Sequence, residues 1–183
     1  MSQSSDMKFR LRDLPESREF ALDGNFVRDA LSAIPGQSSL DESPGHINTV
    51  VEVAEEQQQT VFARGRLEGR VKVACNRCLG PVELTVSDEF SLTFLPRAEV
   101  EAKDEVELAE DDVDVGGHDG IQVDISGVLR DHIVLSVPYA PLCSDECKGL
   151  CAQCGTDLNK GHCECAPGAA NSRWAALENL KLK

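Results

Sequence analysis

Eight cysteines carry the specific chemistry available to this chain of 183 residues. They fall into four close pairs, Cys75 and Cys78, Cys143 and Cys147, Cys151 and Cys154, Cys163 and Cys165, and six of them lie in the single run CSDECKGLCAQCGTDLNKGHCEC. Two pairs are C-x-x-C. Cys75-Asn-Arg-Cys78 is followed by Leu79-Gly80, and Cys151-Ala-Gln-Cys154 directly by Gly155. Such a turn lets two thiolates face one ion while backbone N–H groups point at the sulfurs, and a glycine relieves the tight geometry. Zinc takes four thiolates in a tetrahedron, so eight thiols fill two sites. A site made of four cysteines leaves no open position and is structural rather than catalytic. Disulfides, a redox pair and an iron centre are the alternatives. The first residues, MSQSSDMKFRLRDLPE, hold no apolar segment of the kind a secretory signal needs. The expected location is therefore the cytoplasm, where structural disulfides do not persist. A thioredoxin-type C-x-x-C needs βαβ surroundings, and the residues around these cysteines read as antiparallel strands.

Other catalytic signatures are missing. The chain contains no G-x-S-x-G, no G-x-x-x-x-G-K-[ST], no G-x-G-x-x-G and no H-E-x-x-H. The combination of H-x-E followed by P-C-x-x-C that marks a zinc deaminase is also missing. We therefore read the chain as non-enzymatic, with no small-molecule substrate. His132 stands beside an apolar stripe and reads as a packed or solvent-edge residue.

The elements that must position the cysteines read as α+β, mainly antiparallel β: a small curled sheet or barrel, a few helices, and a C-terminal cysteine-rich zinc-binding segment. From Val82 to Phe94 apolar and polar residues alternate, with only Asp88 out of pattern, which predicts a half-buried strand. Ile47 to Val53 reads as another strand. Thr60 to Leu67 and Val71 to Ala74 read as two more, separated around Gly69. Val27, Ala30, Leu31 and Ile34 at helical spacing predict a helix over Asn25 to Ile34, ended by Pro35-Gly36. Asp124 is placed to cap a helix over 124–137 with the stripe Ile125, Val128, Leu129, Ile133 and Val137, and Ser172 to cap a third. The expected division is a mainly β domain over 1–137 and a zinc-binding tail over 138–183.

Charge narrows the partners. Thirty-two acidic and 18 basic residues give a net charge of −14. Residues 99–114 hold nine acids and one lysine, −8 of that total. This run reads as a solvated loop, or as a docking strip for a basic partner. Gly116, Gly117 and Gly120 extend the expected acidic loop to 99–120. An acidic chain with eight aromatics is a poor general binder of nucleic acid. The exception is the basic stretch Arg64, Arg66, Arg70, Lys72 and Arg77, a candidate partner-binding surface. As two strands, it places Arg64 with Arg66 on one face and Arg70 with Lys72 on another. No run of 18 apolar residues exists, so no membrane contact is expected.

Three segments together resemble the YceD family. They are Val73-Ala-Cys75-Asn-Arg-Cys78-Leu79 before a long alternating strand, Val123-Asp-Ile125 through Val137-Pro138 to Pro141-Leu-Cys143, and Cys147-Lys-Gly149-Leu150-Cys151-Ala-Gln-Cys154-Gly155-Thr-Asp157-Leu158-Asn159. The likeness runs from around residue 45 to the C-terminus. It departs at Asn171-Ser172-Arg173, where the family pattern reads Asp-Pro-Arg. The resemblance implies a non-enzymatic role in ribosome biogenesis, supporting accumulation or processing of large-subunit ribosomal RNA. The implied partner is a ribosomal protein or a large-subunit RNA precursor. It also implies a partition of the ligands, Cys75, Cys78, Cys143 and Cys147 in one site and Cys151, Cys154, Cys163 and Cys165 in the other. A zinc-stapled protein–protein adaptor with no ribosomal role is the alternative, and a nuclease would need a metal with an open position.

Overall fold

The computed structural model describes residues 7–36, 45–55, 59–98 and 115–165. The acidic run 99–114 and the helix expected after Ser172 lie outside the described residues. The chain divides into two compact units, Met1–Val73 with Glu83–Tyr139, and Ala74–Val82 with Ala140–Lys183. The first C-x-x-C pair thus belongs with the other six cysteines. No helix among the described residues is long and apolar enough to cross a membrane.

The elements run in the order β1 (Lys8–Arg10), β2 (Glu16–Leu22), α1 (Gly24–Leu31), β3 (Gly45–Glu55), β4 (Val61–Ala74), β5 (Pro81–Pro96), β6 (Val115–His118), β7 (Gln122–Asp124) and α2 (Ser126–Leu135). Five strands form one sheet in the order β2-β3-β4-β5-β6, and β1 pairs with β7 in a separate ribbon. Among the described residues the sheet is open rather than closed into a barrel, with β2 and β6 as its edges. β2, β3 and β4 pair antiparallel, while β5 and β6 pair parallel.

Period-two alternation sets the core. Ile47, Val51 and Val53 of β3 lie buried on the same face as Ala63, Leu67, Val71 and Val73 of β4 and Val86, Phe90 and Phe94 of β5. Val27, Ala30 and Leu31 of α1 and Leu129 and Ile133 of α2 are buried too, and α1 packs on α2 and β3. The Asp23 carboxylate caps α1 by accepting from the Phe26 N–H at 2.8 Å.

Four expectations need correction. β4 is one strand, not two. Gly69 faces Ile47 across the ladder, and a Cβ there would stand 2.7 Å from the Ile47 Cα, so this glycine permits close backbone approach rather than marking a break. Continuity puts Arg64, Arg66, Arg70 and Lys72 on a single outer face, since all share one parity. Residues 115–118 are strand rather than loop, because Gly116 lets β6 lie under the Phe94 ring, 2.7 Å from where its Cβ would be. Finally, Ile125 rather than Asp124 occupies the capping position of α2, and the Asp124 carboxylate accepts from the Ser126 N–H at 2.9 Å.

The out-of-pattern Asp88 and the lone His132 explain each other. Asp88 Oδ2 and His132 Nδ1 are 2.7 Å apart, and the His132 ring stacks at 5.2 Å on Phe90. A carboxylate on the inner face of β5 is thereby satisfied by a helix residue. Thr49 is the contrast. Its hydroxyl is buried opposite Leu67 and has no hydrogen-bond partner among the described residues. Thr49→Val keeps the shape and removes an unpaired buried dipole, so it should stabilise the fold by about 1 kcal/mol, read as a higher midpoint in denaturant unfolding.

Candidate metal centre

All eight cysteines are free thiols, gathered into two tetrads: Cys75, Cys78, Cys143 and Cys147, and Cys151, Cys154, Cys163 and Cys165. Within each tetrad the sulfurs lie within 4.8 Å of one another. In the first, Cys75 Sγ is 3.8 Å from Cys147 Sγ and Cys78 Sγ is 3.7 Å from Cys143 Sγ. A tetrahedron with bonds of about 2.3 Å has edges of about 3.8 Å, whereas a disulfide draws two sulfurs to about 2.05 Å. The thiols stand at coordination spacing, and each tetrad can hold a metal ion.

Local backbone geometry builds the first tetrad. The turn between β4 and β5 closes with Cys75 N–H donating to the Gly80 carbonyl at 2.8 Å and Leu79 N–H to the Cys75 carbonyl at 3.0 Å. The N–H groups of Arg77 and Cys143 each point at Cys75 Sγ at 3.4 Å. The residue that takes the left-handed conformation here is Leu79, at φ +58°, rather than the following glycine. In the second C-x-x-C turn that position is Gly155, at φ +73°, whose N–H donates to the Cys151 carbonyl at 2.9 Å. Gly149, at φ +72°, fits against the Arg77 carbonyl, which would stand 3.0 Å from a Cβ. The two tetrads differ in exposure: Cys75 and Cys147 are buried, while no ligand of the second tetrad is.

These contacts sort the thiols by charge. Burial pushes the Cys75 thiol up, yet hydrogen bonds from the backbone N–H groups of Cys78, Arg77 and Cys143 outweigh it and bring it down to about 6. Cys143 is pushed up to about 12 by its neighbours Cys147 and Cys78 and by burial. In the second tetrad the Thr156 hydroxyl, 3.1 Å from Cys154 Sγ, and the Thr156 backbone bring Cys154 down to about 6. Its neighbour Cys154 together with burial pushes Cys165 up to about 12. Cys75 and Cys154 are thus the thiols in each tetrad most inclined to carry negative charge, and Cys143 and Cys165 the least.

The basic residues have partners of their own. Arg64 pairs with Glu52 at 2.6 Å, Arg66 with Glu68, and Arg70 with Glu83 at 3.0 Å, all on exposed side chains. Lys72 is half-buried on the same strand face. Arg77 is placed elsewhere, inside the cysteine unit, where its guanidinium donates to the carbonyls of Asp145 at 3.2 Å and Cys147 at 2.9 Å. It braces the chain around a ligand. Sequence reasoning missed Asn159, whose Nδ2 donates to Cys147 Sγ at 3.4 Å. Its place in the cysteine-rich run was the only signal.

Comparison with known proteins shows the family. The family model described as large ribosomal RNA subunit accumulation protein YceD matches residues 63–181, a span that contains all eight cysteines. The chain is similar to a protein of Arabidopsis thaliana named large ribosomal RNA subunit accumulation protein YCED homolog 1, chloroplastic, at 30% identity over 63% of this chain and 44% of that protein. The Zea mays protein of the same name is 31% identical over 57% of this chain and 45% of its own length. An uncharacterised protein of Mycobacterium leprae is 30% identical over 67% of this chain and 54% of its own length. The chain spans about half the length of the curated relatives it matches. No solved structure matches it significantly. With well over half of its residues under the family model, and both thiol tetrads among them, this chain belongs to the YceD family.

Proposed function

We propose that this chain is a non-enzymatic, cytoplasmic factor of ribosome biogenesis that supports accumulation or processing of large-subunit ribosomal RNA. Its two tetrads each take one Zn2+ as a structural cross-link. The family match over residues 63–181 carries the ribosomal part of this reading. The donor chemistry supports zinc, since four thiols at tetrahedral spacing suit that ion and leave no position for substrate or water.

The contact is with a basic ribosomal protein rather than with RNA directly. On the outer face of β4, Arg64, Arg66 and Arg70 each already face a carboxylate, so the local charge a phosphate would meet is close to neutral. Gradient sedimentation at low salt together with RNA crosslinking tests both parts. The chain should track with large-subunit precursors, and a triple variant, Arg64→Glu with Arg66→Glu and Arg70→Glu, should crosslink to RNA unchanged. A fall in crosslinking, with the log–log salt slope reduced by about 2, would move the contact to RNA. A chain that never sediments with the precursors is an adaptor without a ribosomal role.

A further inference from the structure

Asn159 stands in the chain between Cys154 and Cys163, two ligands of the second tetrad, yet its side chain reaches the first. Its Nδ2 donates to Cys147 Sγ at 3.4 Å and to Asp157 Oδ1 at 2.8 Å, and its Oδ1 accepts from the Lys148 N–H at 2.8 Å. All the capacity of one amide except a single lone pair is spent on holding that pose. The backbone around it is tied as well. Leu150 and Asp157 form an antiparallel bridge, Leu158 N–H donates to the Gly149 carbonyl at 2.9 Å, and Cys151 N–H to the Thr156 carbonyl at 2.8 Å.

The segment that presents Asn159 is therefore anchored at both ends by ligands of one tetrad and delivers its donor to a ligand of the other. An ion held by Cys151, Cys154, Cys163 and Cys165 fixes the ends of that segment and removes much of its conformational freedom. Once fixed, Asn159 meets the Cys147 thiolate without a further ordering cost. A donor to a ligating sulfur orients the ligand and raises metal affinity, and loss of such a partner typically lowers affinity about 10- to 100-fold.

We propose that Asn159 is a positioning residue that couples the two metal sites, so that an ion in the second tetrad strengthens binding in the first. By linkage, the first strengthens the second to the same degree. The inference rests on the reading that both tetrads hold metal.

The test uses the full chain, Zn2+ competed with a chelator, and Co2+ as a spectroscopic probe of thiolate ligation. Alkylation mapped by mass spectrometry assigns protection to each tetrad. Affinity of the first tetrad is measured with the second intact and with it disabled by Cys163→Ser and Cys165→Ser, in the wild type and in Asn159→Asp. The aspartate keeps the size and the acceptor to Lys148 but replaces both N–H donors with a charged acceptor; Asn159→Ala removes the donors without adding charge. Disabling the second tetrad should weaken the first about 10-fold in the wild type and less than about twofold in either Asn159 variant. Equal factors in both backgrounds, or no effect in the wild type, overturn the coupling while leaving the metal reading intact. A wild-type chain that retains no Zn2+ and gives no thiolate–Co2+ bands overturns the metal reading and the coupling with it.

Discussion

Removing the metal will unfold residues 74–82 and 140–165 and leave the sheet unit folded. Among the described residues, the cysteine unit has almost no apolar interior: its buried apolar side chains are Ala74, Pro141 and the ligands Cys75 and Cys147 themselves. The other unit buries Phe9, Leu67, Phe90, Leu129 and Ile133 among many more. A segment without a core depends on its cross-links, and structural zinc contributes on the order of 10–16 kcal/mol in modules of this kind. Hydrogen exchange with and without a strong chelator reads both units at once. The amides of Asn76, Cys147 and Cys151, bonded to Pro141, Ser144 and Thr156, should lose protection, while those of Ile47–Val53 in β3 keep theirs. Unchanged protection at Cys147 and Cys151 after complete metal removal would show that the unit holds itself together.

The second large effect is expected far from the cysteines. Phe9→Ala should destabilise the sheet unit by about 3–5 kcal/mol, lowering its midpoint by on the order of 10 °C. Phe9 is wholly buried although β1 is only three residues long. Its ring meets Phe20 edge-on at 6.2 Å, and the Arg18 guanidinium lies over it at 4.5 Å, held there by Glu16. Truncation empties a space lined by side chains from two different strand pairings, and a short ribbon cannot shift far enough to fill it. Phe9→Leu, which keeps most of the volume, should cost about 1.5 kcal/mol or less. Calorimetry on both variants would separate a cavity effect from the loss of the β1–β7 ribbon, since equal losses would point to the ribbon.

What the sequence revealed depended on which signals were unmixed. β3 and β5 were legible because their apolar residues alternate, and Asp88 breaks the pattern only because His132 waits for it. β2 was hidden because its inward positions are Glu16, Arg18, Phe20 and Leu22, so two charges paired with each other occupy places that hydrophobic residues usually mark. Gly69 and Gly116 read as punctuation, since a glycine that ends a strand and one that admits a neighbouring backbone or ring look the same. The cysteines stood out as candidate ligands by type and spacing. Their grouping into two tetrads depends on the fold, because β5, β6, β7 and α2 all lie in the chain between Cys78 and Cys143. Leu79 in the left-handed region had no local signature, and Asn159 on a cysteine sulfur had only its place in the cysteine-rich run.

The ligands of the two tetrads also differ in how far along the chain they must find each other. Cys75 and Cys147 are 72 positions apart, whereas Cys151 through Cys165 can meet within one short stretch. Closing a loop about five times longer costs an unfolded chain about 1.4 kcal/mol more, and it demands that distant segments be in place first. On a refolding chain the local tetrad thus carries the smaller closure cost, and the distant one the larger. Loop entropy alone therefore favours refolding from the C-terminal thiols back to the turn between β4 and β5.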